Sequence, residues 1–284
     1  MANHEKIGSP RFEDPEGGVN VELGQPVWGE GLERESIEAS LPAVKEALHE
    51  FYSMRAAREE EAAFAIGVIR DRESIYKSAA KGVSKENLDF TLALTVLESA
   101  RGEFQYRRML IESQDESVEH GIQDKREGLM EKEAHYQEAS DVLFSADEQY
   151  SGVPDRGDLI QWLAERKQFI KEQAKDEEEK YKGREPGEGN GLIWRPRLLT
   201  DVPAIERFEK NQETTRDFNE IMNLLESYTL SMRDYMGGLV MEYANDPSER
   251  FKDAMAKNLR DIRKLELFLS QLEGERNERI AKKI

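Results

Sequence analysis

One heptad register runs through residues 84–150, a stretch of 67 residues without a proline. Its positions alternate by four and three residues from Phe90 to Tyr150, and thirteen of the eighteen are apolar. A period of 3.5 residues is typical of a helix that packs along a narrow seam against other helices. At 1.5 Å per residue, the register predicts one continuous helix about 100 Å long. The eighteen positions are Phe90, Leu94, Leu97, Arg101, Phe104, Arg108, Ile111, Asp115, Val118, Ile122, Lys125, Leu129, Lys132, Tyr136, Ala139, Leu143, Ala146 and Tyr150.

The composition agrees with long helices and argues against several functional classes. Charged residues make up 35% of the chain and hydrophobic residues 38%, which is typical of helices that each bury one stripe. The net charge of −18 predicts no nucleic-acid partner, and contact with acidic lipid would need a local basic face. The chain has no cysteine, which excludes disulfides, thiolate metal sites and a cysteine nucleophile and fits a reducing compartment.

The chain divides into an arm and a helical domain. Residues 1–32 hold glycine and proline at short intervals, and we expect them to form an N-terminal extended arm. They show neither the apolar run of a signal peptide nor the arginine-rich character of a transit peptide. No stretch approaches 18 apolar residues, so no membrane span is predicted, and the expected location is the cytoplasm. Residues 33–284 are expected to form one helical dimerisation domain.

Helical periodicity predicts five helices and no strand-rich block. A glycine- and proline-rich stretch, residues 183–203, is predicted to be a loop. The expected fold is therefore all-α, an elongated antiparallel helical bundle or coiled coil. The predicted helices cover residues 36 or 40 to 81, 84–150, about 155–182, about 202–244, and a last segment that opens with Asp246-Pro247-Ser248-Glu249.

No motif in the sequence predicts catalysis, a cofactor or a metal. Glu46 and His49 form one E-x-x-H pair, but a di-iron bundle site needs two such pairs and two further glutamates. His49 is therefore interpreted as a helix-surface residue. The chain also lacks an H-E-x-x-H motif, a Walker loop and a G-x-S-x-G motif. We therefore expect no enzymatic activity.

Three features have two interpretations each. The polar seam residues either mark a functional surface or set the register and pair with acids on a neighbouring helix, which we favour. Gly237-Gly238 is either a hinge or a close helix crossing. Trp194, with the Arg195-Pro196-Arg197 that follows it, either docks a partner or anchors the loop to its own domain, which we favour. The polar seam residues are Arg101, Arg108, Asp115, Lys125 and Lys132.

Short motifs along the chain are similar to those of one family. ALHEFYSMRAAREEEAAFAIGVI (47–69) carries Phe51, Arg55, Ala56, Glu59, Glu60 and Ala63 at the spacing of the first F-BAR core helix. FEDPEGGVNVELGQPVWGEG (12–31) is similar to the entry segment of these domains, and Tyr243-Ala244-Asn245 is similar to their Y-A-N-x-x-S helix end. Over about residues 12–280, the chain resembles the F-BAR domains of fungal cytokinesis scaffold proteins.

The resemblance implies an antiparallel, crescent-shaped homodimer that can oligomerise tip to tip. Such modules bind anionic, phosphoinositide-rich membrane as peripheral proteins and scaffold cytoskeletal or cytokinesis partners. Each lysine or arginine near an anionic bilayer contributes about 1 kcal/mol. The candidate membrane-binding residues are Arg107, Arg108, Lys125, Arg126 and Lys132.

Charge supports an alternative function. Residues 84–150 hold 16 acidic and 7 basic side chains, a balance of −9 that opposes attraction to anionic lipid. The alternative is an elongated helical scaffold or assembly subunit with the same dimer architecture that binds proteins and not lipid.

Overall fold

The computed structural model describes residues 34–66, 72–83, 88–113, 121–150, 152–182, 194–210 and 215–281. Within these ranges every regular element is a helix, so the all-α prediction is confirmed. The arm predicted for residues 1–32 lies outside the described residues. The elements are α1 (Arg34–Ile66), α2 (Arg72–Gly82), α3 (Phe90–Ser113), α4 (Gly121–Ala146), a 3₁₀ turn (Glu148–Tyr150), α5 (Arg156–Lys180), α6 (Trp194–Glu209), α7 (Thr215–Asn245) and α8 (Glu249–Ala281).

The prediction of one continuous helix over residues 84–150 is wrong, because α3 and α4 pack side by side as an antiparallel hairpin. The rings of Phe104 and Tyr136 lie 5.7 Å apart. Arg108 Nη1 donates to Glu133 Oε2 at 2.8 Å. In a straight helix, Phe104 and Tyr136 would be about 48 Å apart, so the chain must reverse between the two arms.

The hairpin explains why the heptad register passes through the reversal without a break. The seam positions mirror one another about residue 120, so an antiparallel hairpin places Leu97 level with Leu143 and Phe104 level with Tyr136. These four side chains are all buried within one chain. The seam of this part of the hairpin is thus covered within a single chain. A straight helix of this length would have left its apolar stripe exposed and would have needed a second copy to cover it.

Two apolar cores lie along the bundle. Core 1 is built from α1, α2, the first part of α3, the second part of α4, and the ends of α7 and α8 nearest their connection. Core 2 is built from α5, α6, the first half of α7 and the second half of α8. Met232 packs against both cores. The antiparallel pair α7 and α8 therefore joins the two cores.

The boundaries of the later helices differ from the predictions in two places. The third predicted helix is α5, whose N-cap Asp155 forms a reciprocal capping box with Asp158. The loop predicted for residues 183–203 is wrong from Trp194 onward, since α6 begins there; residues 183–193 lie outside the described ranges. The Trp194 amide donates to Glu177 Oε2 at 3.1 Å, and Pro196 occupies the first turn, where a proline is tolerated. The predicted fourth helix corresponds to α6 and α7, with residues 210–214 between them.

A buried ion cluster lies between α3, α7 and α8. Glu98 accepts from Arg101 at 2.6 Å and from Arg233 at 2.9 Å. Glu266 accepts from the same two arginines at 2.7 and 2.5 Å. Burial opposes the ionisation of Glu98, but Arg101 and Arg233 outweigh it and lower the pKa of that carboxyl to about 2. Two carboxylates and two guanidinium groups thus neutralise each other where water is excluded.

Glycines allow α7 to approach its neighbours closely. A Cβ atom at Gly102 would lie 2.7 Å from the Cβ of Arg233, so a side chain there would push α3 away from α7 and disturb the ion cluster between them. A Cβ atom at Gly237 would lie 3.1 Å from the Phe51 ring. α7 continues as a helix through both glycines, and Gly237 lies at a close helix crossing, whereas a Cβ atom at Gly238 would meet no atom within 4 Å.

Candidate functional site

The hairpin of α3 and α4 is buried at one end and exposed at the other. Every residue from Leu92 to Phe104 is buried, because neighbouring helices surround that part of α3. Beyond Phe104 on α3, and before Tyr136 on α4, side chains are largely exposed. We call residues 105–113 and 121–135 the distal hairpin.

The distal hairpin carries four exposed large apolar side chains. Tyr106, Met109 and Leu110 follow the i, i+3, i+4 spacing of one helix face, and 39–51% of each is exposed. On α4, 46% of Met130 is exposed. The mirror relation about residue 120 places Met130 level with Leu110. Exposed apolar residues grouped in this way indicate a contact surface more often than residues scattered singly.

All five residues predicted to bind membrane lie on the distal hairpin, where five acidic side chains accompany them. Arg108 pairs with Glu133, and Lys132 pairs with Glu50 of α1. Arg107, Lys125 and Arg126 are exposed. The basic residues are Arg107, Arg108, Lys125, Arg126 and Lys132, and the acidic residues are Glu112, Asp124, Glu127, Glu131 and Glu133.

These ion pairs decide between the two interpretations of the polar seam. Arg101, Arg108 and Lys132 each contact a carboxylate on a neighbouring helix, so the interpretation as interhelical ion pairs is confirmed for them. Lys125 is exposed on α4. Asp115 lies outside the described residues.

Two residues quoted for the F-BAR resemblance have structural roles in this chain. Phe51 is buried in core 1. Arg55 donates to Asp234 at 2.8 Å and contacts Glu103 at 3.4 Å, so it ties α1 to α7 and α3. Both roles follow from helix packing and need no ligand.

The described residues do not assemble a metal site. His49 packs edge-on against the Tyr76 ring at 6.1 Å, and Glu46 lies 3.9 Å from His135. Across the described ranges, no group of three or more histidine, cysteine, aspartate or glutamate side chains is placed to hold an ion. Among the helices that the structure describes, none has an apolar stretch sufficient to cross a bilayer.

A second cluster, at the junction of α5, α6 and α7, was not identified from the sequence as one unit. The guanidinium carbon of Arg166 lies 3.8 Å from the Tyr228 ring centroid and 5.5 Å from that of Trp194. Arg197 lies 4.9 and 5.7 Å from the same two rings. Trp194 also packs edge-on against Phe169 at 5.2 Å, so the interpretation of Trp194 as an anchor within its own domain agrees with the structure. The sequence showed Trp194 and Arg197 together, but no periodicity relates them to Arg166 or Tyr228.

The comparisons with known proteins add no assignment to this geometry. No protein-family model matches the chain, and no curated protein or solved structure matches it either. The distal hairpin is therefore the candidate functional site on structural grounds alone.

Proposed function

We propose that this protein is a non-enzymatic helical scaffold that self-associates through the distal hairpin and thereby organises protein partners. The observation that carries the proposal is the change along α3. The same helix is buried on every side up to Phe104 and then presents Tyr106, Met109 and Leu110 to solvent. Such a surface stabilises the chain only when another molecule covers it.

The distal hairpin carries charges of both signs, which a second copy as the occupant can pair. Copies of a chain with a net charge of −18 repel one another on average. The described residues of the distal hairpin mix five acidic with five basic side chains, and the intervening residues 114–120 add three acidic ones, so residues 105–135 carry a balance of −3. In a two-fold interface, the same patch faces itself, and opposite charges on the two copies can then be placed in contact.

The sequence also predicts a homodimer, but through a different interface from the one proposed here. The expected crescent depended on an unbroken second helix, which the structure replaces with the hairpin of α3 and α4. We therefore base the dimer on the exposed distal hairpin. The F-BAR crescent, tip-to-tip assembly and the cytoskeletal partners stay predictions.

Sedimentation velocity over a range of protein concentrations tests the proposal. The wild-type protein should sediment as a dimer at micromolar concentration, whereas Met109→Glu should shift it to monomer because a charge enters an apolar contact. The matched control is Leu199→Glu, since Leu199 is a singly exposed leucine on α6 with 70% of its surface accessible. A wild-type monomer at all concentrations, or equal effects of the two substitutions, would refute self-association through this surface.

A second candidate function is association of the distal hairpin with anionic membrane as a peripheral protein. Exposed Arg107, Lys125 and Arg126 lie on the same hairpin as exposed Met109, which combines a cationic surface with an apolar one. Co-sedimentation with phosphoinositide-containing vesicles at two salt concentrations distinguishes it from the first. Salt-sensitive binding that is lost in the triple variant R107Q/K125Q/R126Q would favour lipid; no binding at either salt concentration would leave protein contact as the function.

A further inference from the structure

The two arginines at the junction of α5, α6 and α7 differ from four other cations on their helices. Arg166 and Arg197 both lie against the rings of Tyr228 and Trp194, and within the described residues neither forms an ion pair with a carboxylate. Four other cations on α5 and α6 are each paired with a glutamate. These pairs are Arg156 with Glu275, Lys167 with Glu209, Lys171 with Glu206, and Arg207 with Glu220.

Two positive charges are therefore held together in a chain that is otherwise rich in carboxylates. Burial is the main cause that lowers the pKa of Arg166, and the neighbouring charge of Arg197 acts in the same direction. Asp201 faces the pair from α6, but its carboxylate accepts from Thr200 Oγ1 at 2.8 Å. Within the described residues, the two like charges thus lie close together with Asp201 as a nearby opposite charge but with no direct ion pair.

Unused hydrogen-bond donors lie at the same position. Only 4% of Tyr228 is exposed, and within the described residues no partner has hydrogen-bond geometry to its hydroxyl or to the buried Nε of Arg166, although the hydroxyl lies beside Arg166 and opposes the lowering of its pKa. When a guanidinium plane stacks on an aromatic ring, its faces are covered and its N–H donors remain available around its edge. An unsatisfied buried donor is costly unless a ligand or water satisfies it.

We propose that Arg166 and Arg197, supported by Tyr228 and Trp194, form a binding site for a phosphate monoester dianion. Two guanidinium groups match the two negative charges of such a group, and their planar donor sets match its oxygen atoms. Trp194 and Arg197 belong to the first turn of α6, where the helix dipole adds favourable potential for an anion. Glu177 already accepts from the Trp194 amide, so the dipole is a minor contribution.

The first test is titration with inorganic phosphate against chloride at constant ionic strength, followed by calorimetry and by tryptophan fluorescence. Phosphate should bind the wild-type protein and change its fluorescence, because Trp194 contacts both arginines and Trp162 packs edge-on against Tyr228 at 5.6 Å. Arg197→Gln should weaken binding by about tenfold or more, the loss expected for a charge-assisted hydrogen bond. Arg197→Lys keeps the positive charge but loses the planar set of N–H donors, so it should weaken phosphate binding less than Arg197→Gln does.

The matched control is Lys175→Gln, which removes the same charge from an exposed position of α5. Phosphate affinity should be unchanged in this variant. The absence of any phosphate-specific signal in the wild-type protein would overturn the proposal. Equal phosphate affinity in R197Q and the wild-type protein would also overturn it, because the arginines would then serve packing alone.

A second set of measurements identifies the source of the phosphate group. Vesicles of phosphatidylcholine that contain phosphatidic acid present the monoester on a lipid, whereas inorganic phosphate presents it in solution. Vesicle binding that R197Q abolishes would support the site with a lipid headgroup as its ligand. Phosphate binding without vesicle binding would support it with a soluble ligand. Vesicle binding that R197Q leaves intact, in the absence of phosphate binding, would contradict the proposal.

Discussion

The two halves of the α3/α4 hairpin share one heptad register but differ in their surroundings. In the first half, between Phe90 and Phe104 on α3 and between Tyr136 and Ala146 on α4, the seam is covered by α1, α7 and α8. In the distal hairpin, Met109 and Leu110 occupy the same helix and are about half exposed. Periodicity therefore identifies a helix that packs against other helices. Only the tertiary structure shows which helices cover its apolar face.

The largest effect should come from the ion cluster that closes the buried half. Replacing Arg233 with methionine leaves Glu98 buried with Arg101 as its remaining cation, and we expect the free energy of unfolding to fall by about 3 to 5 kcal/mol. Chemical denaturation measures the change. The double variant E98L/R233M should recover much of the loss, because it removes the isolated charge as well. A loss below about 1 kcal/mol in R233M would contradict the assignment of the cluster as buried and ion-paired.

A leucine-to-alanine pair compares the two halves directly. Leu97→Ala should lower the free energy of unfolding by about 2 to 5 kcal/mol, since it opens a cavity beside fully buried neighbours. Leu110→Ala should change it by no more than about 0.5 kcal/mol, because 45% of that side chain is already exposed. The comparison requires dilute protein, where self-association does not contribute. Equal losses would indicate that the distal hairpin is covered within the monomer.

The pH dependence of stability probes the same cluster with a smaller effect. Because the pKa of Glu98 is lowered to about 2, its contribution is present above its ordinary value of 4.5 and is lost as the pH falls toward 2. Burial and the charge of Glu98 raise the pKa of Glu266, which favours the folded state at low pH and loses that contribution as the pH rises above 4.5. Glu266 therefore offsets part of the acid sensitivity due to Glu98.

Unfolding experiments between pH 7 and pH 3 can separate these contributions. The wild-type protein should lose about 2 kcal/mol more over this range than Glu98→Gln, whose amide does not titrate. An identical slope for both proteins would show that Glu98 is not held ionised by Arg101 and Arg233.

The smallest expected effect is in the distal hairpin. Arg108→Gln breaks the ion pair with Glu133, in which about a quarter of the arginine side chain is accessible. The expected loss is about 0.5 kcal/mol, and it should disappear in high salt because exposed pairs are screened. A loss that persists at 1 M salt would place Arg108 in a buried environment, unlike the rest of the distal hairpin.

The sequence predicted helix content and helix faces well, because both depend on local spacing. Asp155 caps α5, and α2 ends at Gly82, next to the predicted end at residue 81. The single helix predicted from residue 36 or 40 to residue 81 is wrong, since the structure has α1 and α2 there. The reversal between α3 and α4 was missed because the stretch contains no proline and its apolar phase is maintained through residue 120. A register that mirrors about its midpoint is equally compatible with a straight helix and with a hairpin.

The sequence identified the residues of one candidate site and missed the other, because only the first lies within one stretch of the chain. The five basic residues of the distal hairpin could be named from the sequence because they lie near one another in the chain. The cluster of Arg166, Arg197 and Tyr228 brings together residues of three helices, so no sequence spacing indicates it. The partner of Arg101 was likewise not specified, because Glu266 lies on the last helix.

The sharing of α7 and α8 between the two cores has a consequence during synthesis on the ribosome. α1 and α3 emerge early, but core 1 receives Met255, Leu259 and Ile262 only when α8 has been made. Core 2 also needs Leu265, Phe268 and Leu272 from the same helix. Neither core is complete before its part of α8 has left the exit tunnel, so apolar residues of α1 and α3 lack part of their cover while the helices between them and α8 are made.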